Sequence, residues 1–199
     1  MSINVAVTGQ VFSGKTTVCN LMKLYKFKVY NTDEIAHKIL KYKKIKKMIY
    51  DVFGNVFING EVDRKKLSKK VFRNKENWKK LNQMIHPEVV RNVEKLMSKN
   101  DGDKVFEVPL LFEAKMEKMF DFIVFIKAKY DLRKKIAKER GFDEREVKKR
   151  QRFLLGDKIK EKRSDFIIRN YSDLGNLKKD VEKIVKQIKK RRENYAKDK

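Results

Sequence analysis

At 199 residues the chain is long enough for one well-filled core with a modest insertion and too short for several independent domains. Its 41% hydrophobic and 40% charged composition argues against wholesale disorder, and the net charge of +25 favours polyanionic partners without choosing between nucleotides and nucleic acids. The single cysteine, Cys19, excludes an intramolecular disulfide and a cysteine-based zinc site, and with no basic leader or long uncharged apolar window the chain is expected to be soluble, cytoplasmic and free of membrane.

The run INVAVT at 3 to 8 predicts a buried strand, and TGQVFSGKTT begins at its end. Gly9 and Gly14-Lys15-Thr16 satisfy G-x-x-x-x-G-K-[ST], in which backbone N–H groups surround phosphate oxygens at a helix N-terminus, the lysine reaches the β and γ groups, and the hydroxyl helps hold Mg²⁺. The following TTVCNLMKLY is helix-compatible with Val18, Leu21 and Met22 inward, and Cys19 reads as a small buried thiol. KVYN at 28 to 31 predicts a second strand, and Asp33 follows it. In a parallel sheet the carboxyl ends of neighbouring strands meet at one crevice, so Asp33 suits a base or orienter for an acceptor hydroxyl; it also suits a cap for a helix beginning near Glu34, and the two roles are compatible.

Residues 34 to 100 predict an all-helical insertion, with Ile35, Ile39 and Leu40 at helical spacing. Within it Gly54 and Gly60 bracket a turn, Asp63 caps a helix starting at Arg64, and Pro87 suits the first turn of the next helix. KVFEV at 104 to 108, FIVFI at 122 to 126 and DFIIRN at 165 to 170 are further short apolar strands, which together predict a five-stranded, mainly parallel sheet covered by helices. The Arg- and Lys-rich segment 130 to 162, punctuated by Gly141 and Gly156, predicts a helical lid. The last helix, about Asp173 to Lys190, turns Leu174, Leu177, Val181, Ile184, Val185 and Ile188 to the sheet, and the tail beyond it is expected to fray. The expected organisation is thus one α/β domain built around a phosphate-binding loop, with core 1–33, 101–129 and 163–199, insertion 34–100 and lid 130–162.

TGQVFSGKTTV at 8 to 18, NTDEIA at 31 to 36, FGNVFINGEVDRKKLSKKVF at 53 to 72, IHPEV at 85 to 89 and VFEVPLLFE at 105 to 113 occur in an order that resembles the dephospho-CoA kinase family, P-loop kinases of the nucleoside-monophosphate-kinase-like group. RGFDEREVKKRQ at 140 to 151 and the DFIIRN strand extend the resemblance over nearly the whole chain. It implies transfer of the γ-phosphoryl of ATP to the ribose 3′-hydroxyl of dephospho-CoA, giving CoA. It further implies that Gly9, Gln10, Val11, Phe12, Ser13, Gly14, Lys15, Thr16 and Thr17 bind ATP, with Thr16 on Mg²⁺. Asp33 becomes the candidate base; Pro109, Leu110, Leu111, Phe112 and Glu113 join the insertion in holding the acceptor, with His86 either touching it or marking a helix boundary. Arg140, and in second place Arg150, neutralises phosphate charge from the lid, and Asn170 lies near the adenine.

Six positions depart from the family's usual residues. Asn31-Thr32-Asp33 stands for Asp-Ala-Asp, His37 for arginine, Glu107 for aspartate, and Gln10 and Phe12 for glycines. Because the loop works through backbone N–H groups, Gln10 and Phe12 are expected to point away from the nucleotide, with negative φ at Phe12 and its ring against the lid or the insertion. Two other functions fit parts of the chain. A nucleotide or nucleoside kinase would share loop, lid and sheet but not VPLLFE. A nucleic-acid-binding protein would use the positive charge, yet no recognition motif accompanies it.

Overall fold

Period-2 alternation in three central strands sets the layering. The structure, a computed structural model, describes residues 2–171 and 173–197, with side chains through Glu193. In β1 (Asn4–Gly9), Val5 and Val7 turn to one face of the sheet and Ala6 to the other. The first face packs on α1 (Lys15–Met22) through Val18, Cys19 and Met22. After β2 (Lys28–Asn31) come α2 (Thr32–Ile39) and α3 (Lys43–Phe53), whose Ile39, Ile45 and Ile49 cover the second face.

The segment expected to be all helical contains a β-hairpin, β3 (Phe57–Ile58) with β4 (Glu61–Val62). Its two-residue turn is Asn59-Gly60, both at positive φ (49° and 75°), the conformation that matches strand twist and that Asn-Gly adopts most readily. Asp63 caps α4 (Arg64–Val71) as expected, accepting from the Lys65 and Lys66 amides. Helix α5 (Lys75–Met97) then runs straight through Pro87, which does not open a helix. A mid-helix proline removes a hydrogen bond and costs about 3 kcal/mol; Ile85, Val89 and Val93, buried on one face, are the packing that offsets it. His86 therefore marks no boundary.

The chain re-enters the sheet at β5 (Lys104–Glu107) and continues through β6 (Phe122–Ala128), α6 (Tyr130–Glu139), α7 (Glu144–Gln151), α8 (Asp157–Lys162), β7 (Phe166–Asn170) and α9 (Leu174–Lys197). Strand order is β2-β5-β1-β6-β7, and every pairing is parallel. Leu177, Val181, Ile184, Val185 and Ile188 of α9 enter the first core layer, whereas Leu174, expected to join them, is exposed. The helix also outruns its expected end near Lys190, so residues 191–197 are helical; 198 and 199 lie outside the described residues. Connections diverge to either side of β1, and the phosphate loop sits at that switch point, where open α/β sheets bind ligands.

Candidate active site

The loop between β1 and α1 is fixed from below. Gly9 has φ 149°, and a Cβ there would lie 2.3 Å from the Ile126 carbonyl oxygen, so only glycine fits against β6. The Gln10 side chain turns away from the crevice, accepting from the Ala128 amide (2.9 Å) and donating to Asp157 at the start of α8 (2.7 Å). Arg133 of α6 donates to the Val11 carbonyl (2.9 Å). The Ser13 amide donates to the Gln10 carbonyl (3.3 Å), closing a turn whose third residue is Phe12.

Phe12 has φ 59°, contrary to the negative value expected from its side chain. Positive φ is what the third position of such a turn demands and normally assigns to glycine, so the backbone requirement overrides the residue preference. The expected direction of the ring holds: it lies 5.4 Å from Phe142, in the segment expected to be a lid.

Lys15 is almost wholly buried at the start of α1, its ammonium donating to the Gln10 carbonyl (2.8 Å) and reaching Gly9 (3.5 Å). Burial lowers its pKa to about 8, against the opposing pull of the Glu107 and Asp33 carboxylates. Thr16 donates to Glu107 Oε1 (3.0 Å), and the Asn31 amide donates to Glu107 Oε2 (3.0 Å). Register explains the meeting: Glu107 ends β5 beside Val7 on one side and Asn31 on the other. Burial pushes the Glu107 carboxyl above its ordinary value, while Lys15 and the Thr16 hydroxyl act in the opposite direction.

Asn31 also sets the entry to α2, its Oδ1 accepting from the Asp33 (2.8 Å) and Glu34 (3.4 Å) amides. Asn31, not Asp33, is therefore the cap. Asp33 stands exposed in the first turn, its carboxylate without a hydrogen-bond partner among the described residues, at the same end of the parallel sheet as the phosphate loop. Arg140, exposed at the end of α6, also favours the ionised Glu107 carboxylate, less than Lys15 and Thr16 do. Asn170 ends β7 beneath the loop, donating to the Ser13 carbonyl (3.0 Å) with its Nδ2 2.6 Å from where a Cβ on Gly14 would lie.

The expected acceptor-side residues divide. Pro109 and Leu110 are half-buried, but Leu111 and Phe112 belong to the core and present no side chain to the crevice. Glu113 is buried and paired with the equally buried Lys160 of α8 (2.7 Å), and it accepts from the Leu155 amide (2.9 Å). His86 is half-buried, its pKa lowered by burial and pulled back by Glu113. Two contributors escaped the sequence reading: Asn31 as the link between Glu107 and α2, and Phe142 as the partner of Phe12. A signal for the first existed, since an Asn just ahead of an acidic first turn is a preferred helix cap.

A phosphate loop at the switch point of a parallel sheet, with its lysine buried, a strand-end carboxylate on its threonine and cationic helices overhead, defines a P-loop kinase. The comparisons agree: the shikimate kinase from Acinetobacter baumannii aligns over 96% of this chain and 95% of its own with a TM-score of 0.58, at 14% identity, a likeness of fold alone. A solved dephospho-CoA kinase from Campylobacter jejuni aligns over 96% of this chain and 98% of its own, with a TM-score of 0.69 and 27% identity. The dephospho-CoA kinase family profile matches residues 3–176. The dephospho-CoA kinase of Fusobacterium nucleatum is 38% identical over 92% of this chain and 97% of its own length, and that of Bartonella quintana 31% identical over 94% and 98%. The chain belongs to the dephospho-CoA kinase family and is a phosphotransferase.

Proposed function

We propose that the protein transfers the γ-phosphoryl group of ATP to the ribose 3′-hydroxyl of dephospho-CoA, yielding CoA and ADP in the cytoplasm, with residues 9–17 binding the ATP phosphates. The observation that carries the residue assignment is the unpartnered Asp33 carboxylate, which follows β2 at the same end of the parallel β2-β5-β1 array as the phosphate loop that follows β1. In this reading Asp33 accepts the hydroxyl proton as the oxygen attacks, and Lys15 and Arg140 stabilise charge on the phosphoryl oxygens. Phosphoryl transfer asks the protein mainly for position and electrostatic stabilisation, which this arrangement offers.

Thr16 and Glu107 are the residues that would hold Mg²⁺. A hydroxyl and a carboxylate are hard oxygen donors, and this ion takes few protein ligands, completing its shell from substrate phosphates and water. When bound, the ion neutralises charge on the β and γ phosphates. On the acceptor side, Pro109, Leu110 and His86 are the candidates that keep accessible surface, and Asn170 acts on ATP by holding the loop carbonyl in place. Segment 130–162 acts as the lid, and 34–100 as the acceptor-holding insertion.

A coupled assay of ADP release with dephospho-CoA, AMP, dTMP or adenosine as acceptor tests the assignment. Turnover with dephospho-CoA far above the other three is expected; preference for a nucleoside monophosphate would overturn it.

A further inference from the structure

Phe12 adopts a backbone conformation that costs a bulky residue about 1–3 kcal/mol, and such strain persists only where surrounding structure holds it. What surrounds its ring is a stack running from the phosphate loop to the insertion. Phe142, which follows the end of α6 and is tied there by its amide to the Ala137 carbonyl (2.9 Å), lies 5.4 Å from Phe12. The Arg150 guanidinium of α7 sits 4.5 Å from the Phe142 ring centroid and 5.3 Å from that of Phe72, at the end of α4. Phe72 in turn stacks on Phe153, and Phe153 packs on Trp78 of α5. Arg152 clamps the same junction by donating to the Phe72 (3.1 Å) and Arg73 (2.9 Å) carbonyls.

The geometry gives Arg150 a particular character. Its guanidinium carbon lies over both the Phe142 and Phe72 rings while, among the described residues, no hydrogen bond or ion pair occupies its N–H groups. A guanidinium held on aromatic rings keeps its N–H donors free, the set that matches phosphate oxygens. Burial works against the Arg150 charge, and the Glu146 carboxylate, then Asp33, favour it.

We propose that Phe12 and Phe142 are positioning residues: by stacking in series on Arg150 they hold its guanidinium rim toward the phosphoryl group in transit, on the Asp33 side. The loop takes Phe in place of a conformationally cheap glycine because its ring is the buttress of this stack. Loop, lid and insertion thus share one cation, and their closure and the delivery of that charge are a single event. The inference rests on the kinase reading given above.

The test is a set of single and double variants assayed with ATP and dephospho-CoA. Phe142→Leu should lower kcat roughly tenfold, the scale of one lost cation–π contact, with the KM for ATP changed far less. Phe142→Tyr should restore kcat. Because Phe142 acts through Arg150, adding Phe142→Leu to Arg150→Ala should lower kcat no further, and Phe12→Leu should behave like Phe142→Leu. Multiplying effects in the double variant, or an unchanged kcat in Phe142→Leu, would overturn the proposal. If the unmodified enzyme made no CoA, the functional reading would fail separately. The stack would then be judged by trypsin cleavage at Arg150: roughly tenfold faster in Phe142→Leu supports it, and an equal rate overturns it.

Discussion

The floor and the roof of the crevice are built on different physics. The floor is a chain of short hydrogen bonds on strand ends, from Thr16 to Glu107, from Asn31 to Glu107, and from the α2 amides to Asn31, with Lys15 buried beside it. The roof consists of exposed or half-buried arginines on the short helices α6 and α7, held by aromatic faces and a few carbonyls. Floor contacts are directional, and those that converge on Glu107 are partly buried, so their geometry is set before any substrate arrives. Stacking contacts are softer and lie near solvent, which suits the lid role proposed for segment 130–162. The carboxylate and amide that tie the floor together thus end strands β5 and β2, whereas the roof carries its charge on short helices.

The hinge between the two is where the comparison breaks most sharply. Lys160 of α8 and Glu113 after β5 form a buried pair that joins lid to core. Lys160→Met should destabilise the protein by about 3–5 kcal/mol, since it strands a buried carboxylate, and the double variant with Glu113→Leu should recover much of that. Urea denaturation of the two variants measures both.

Lys15 sharpens the description of the floor. Its pKa is about 8 in the fold against 10.5 when unperturbed. Between those values the unfolded chain holds the proton that the folded chain has released, so this group's contribution to stability rises as pH rises from 8 to 10.5, and below 8 its full penalty remains. The difference in unfolding free energy between the native chain and Lys15→Met should therefore shift by up to about 3 kcal/mol toward the native chain across that window. In the opposite sense, ATP phosphates favour the ammonium, so ATP affinity should weaken above pH 8, as calorimetric titrations at pH 7.5 and 9 would register.

Asn31→Ala should cost about 1 kcal/mol through the lost cap, the smallest of these effects, and should also loosen Glu107. A fall in the Mg²⁺ sensitivity of ATP binding would mark the second consequence, because Glu107 would then no longer be held against Thr16.

The sheet was legible because buried parallel strands are short continuous apolar runs, and each of the predicted runs lies in a strand. The phosphate loop was legible because its spacing encodes a backbone shape. The hairpin at 57–62 was missed although Asn59-Gly60 announces it; two-residue strands carry too little periodicity to stand out from flanking helices. Pro87 was misplaced because local propensity favours a helix start, while the buried face of α5 extends on both sides of it. Phe12 shows the same override at one residue: side-chain preference pointed to negative φ, and the turn required the reverse. Residues such as Leu111 and Phe112 could not be sorted into core or crevice from sequence, since both destinations accept apolar side chains.

The most direct measurement is the pair of values for Asp33→Ala: turnover of dephospho-CoA and the dissociation constant for ATP. The account predicts a loss of kcat of about 10²–10⁴-fold, the range for a general base, with ATP binding within a few-fold of the native enzyme. Near-normal turnover in that variant, with ATP binding intact, would contradict it.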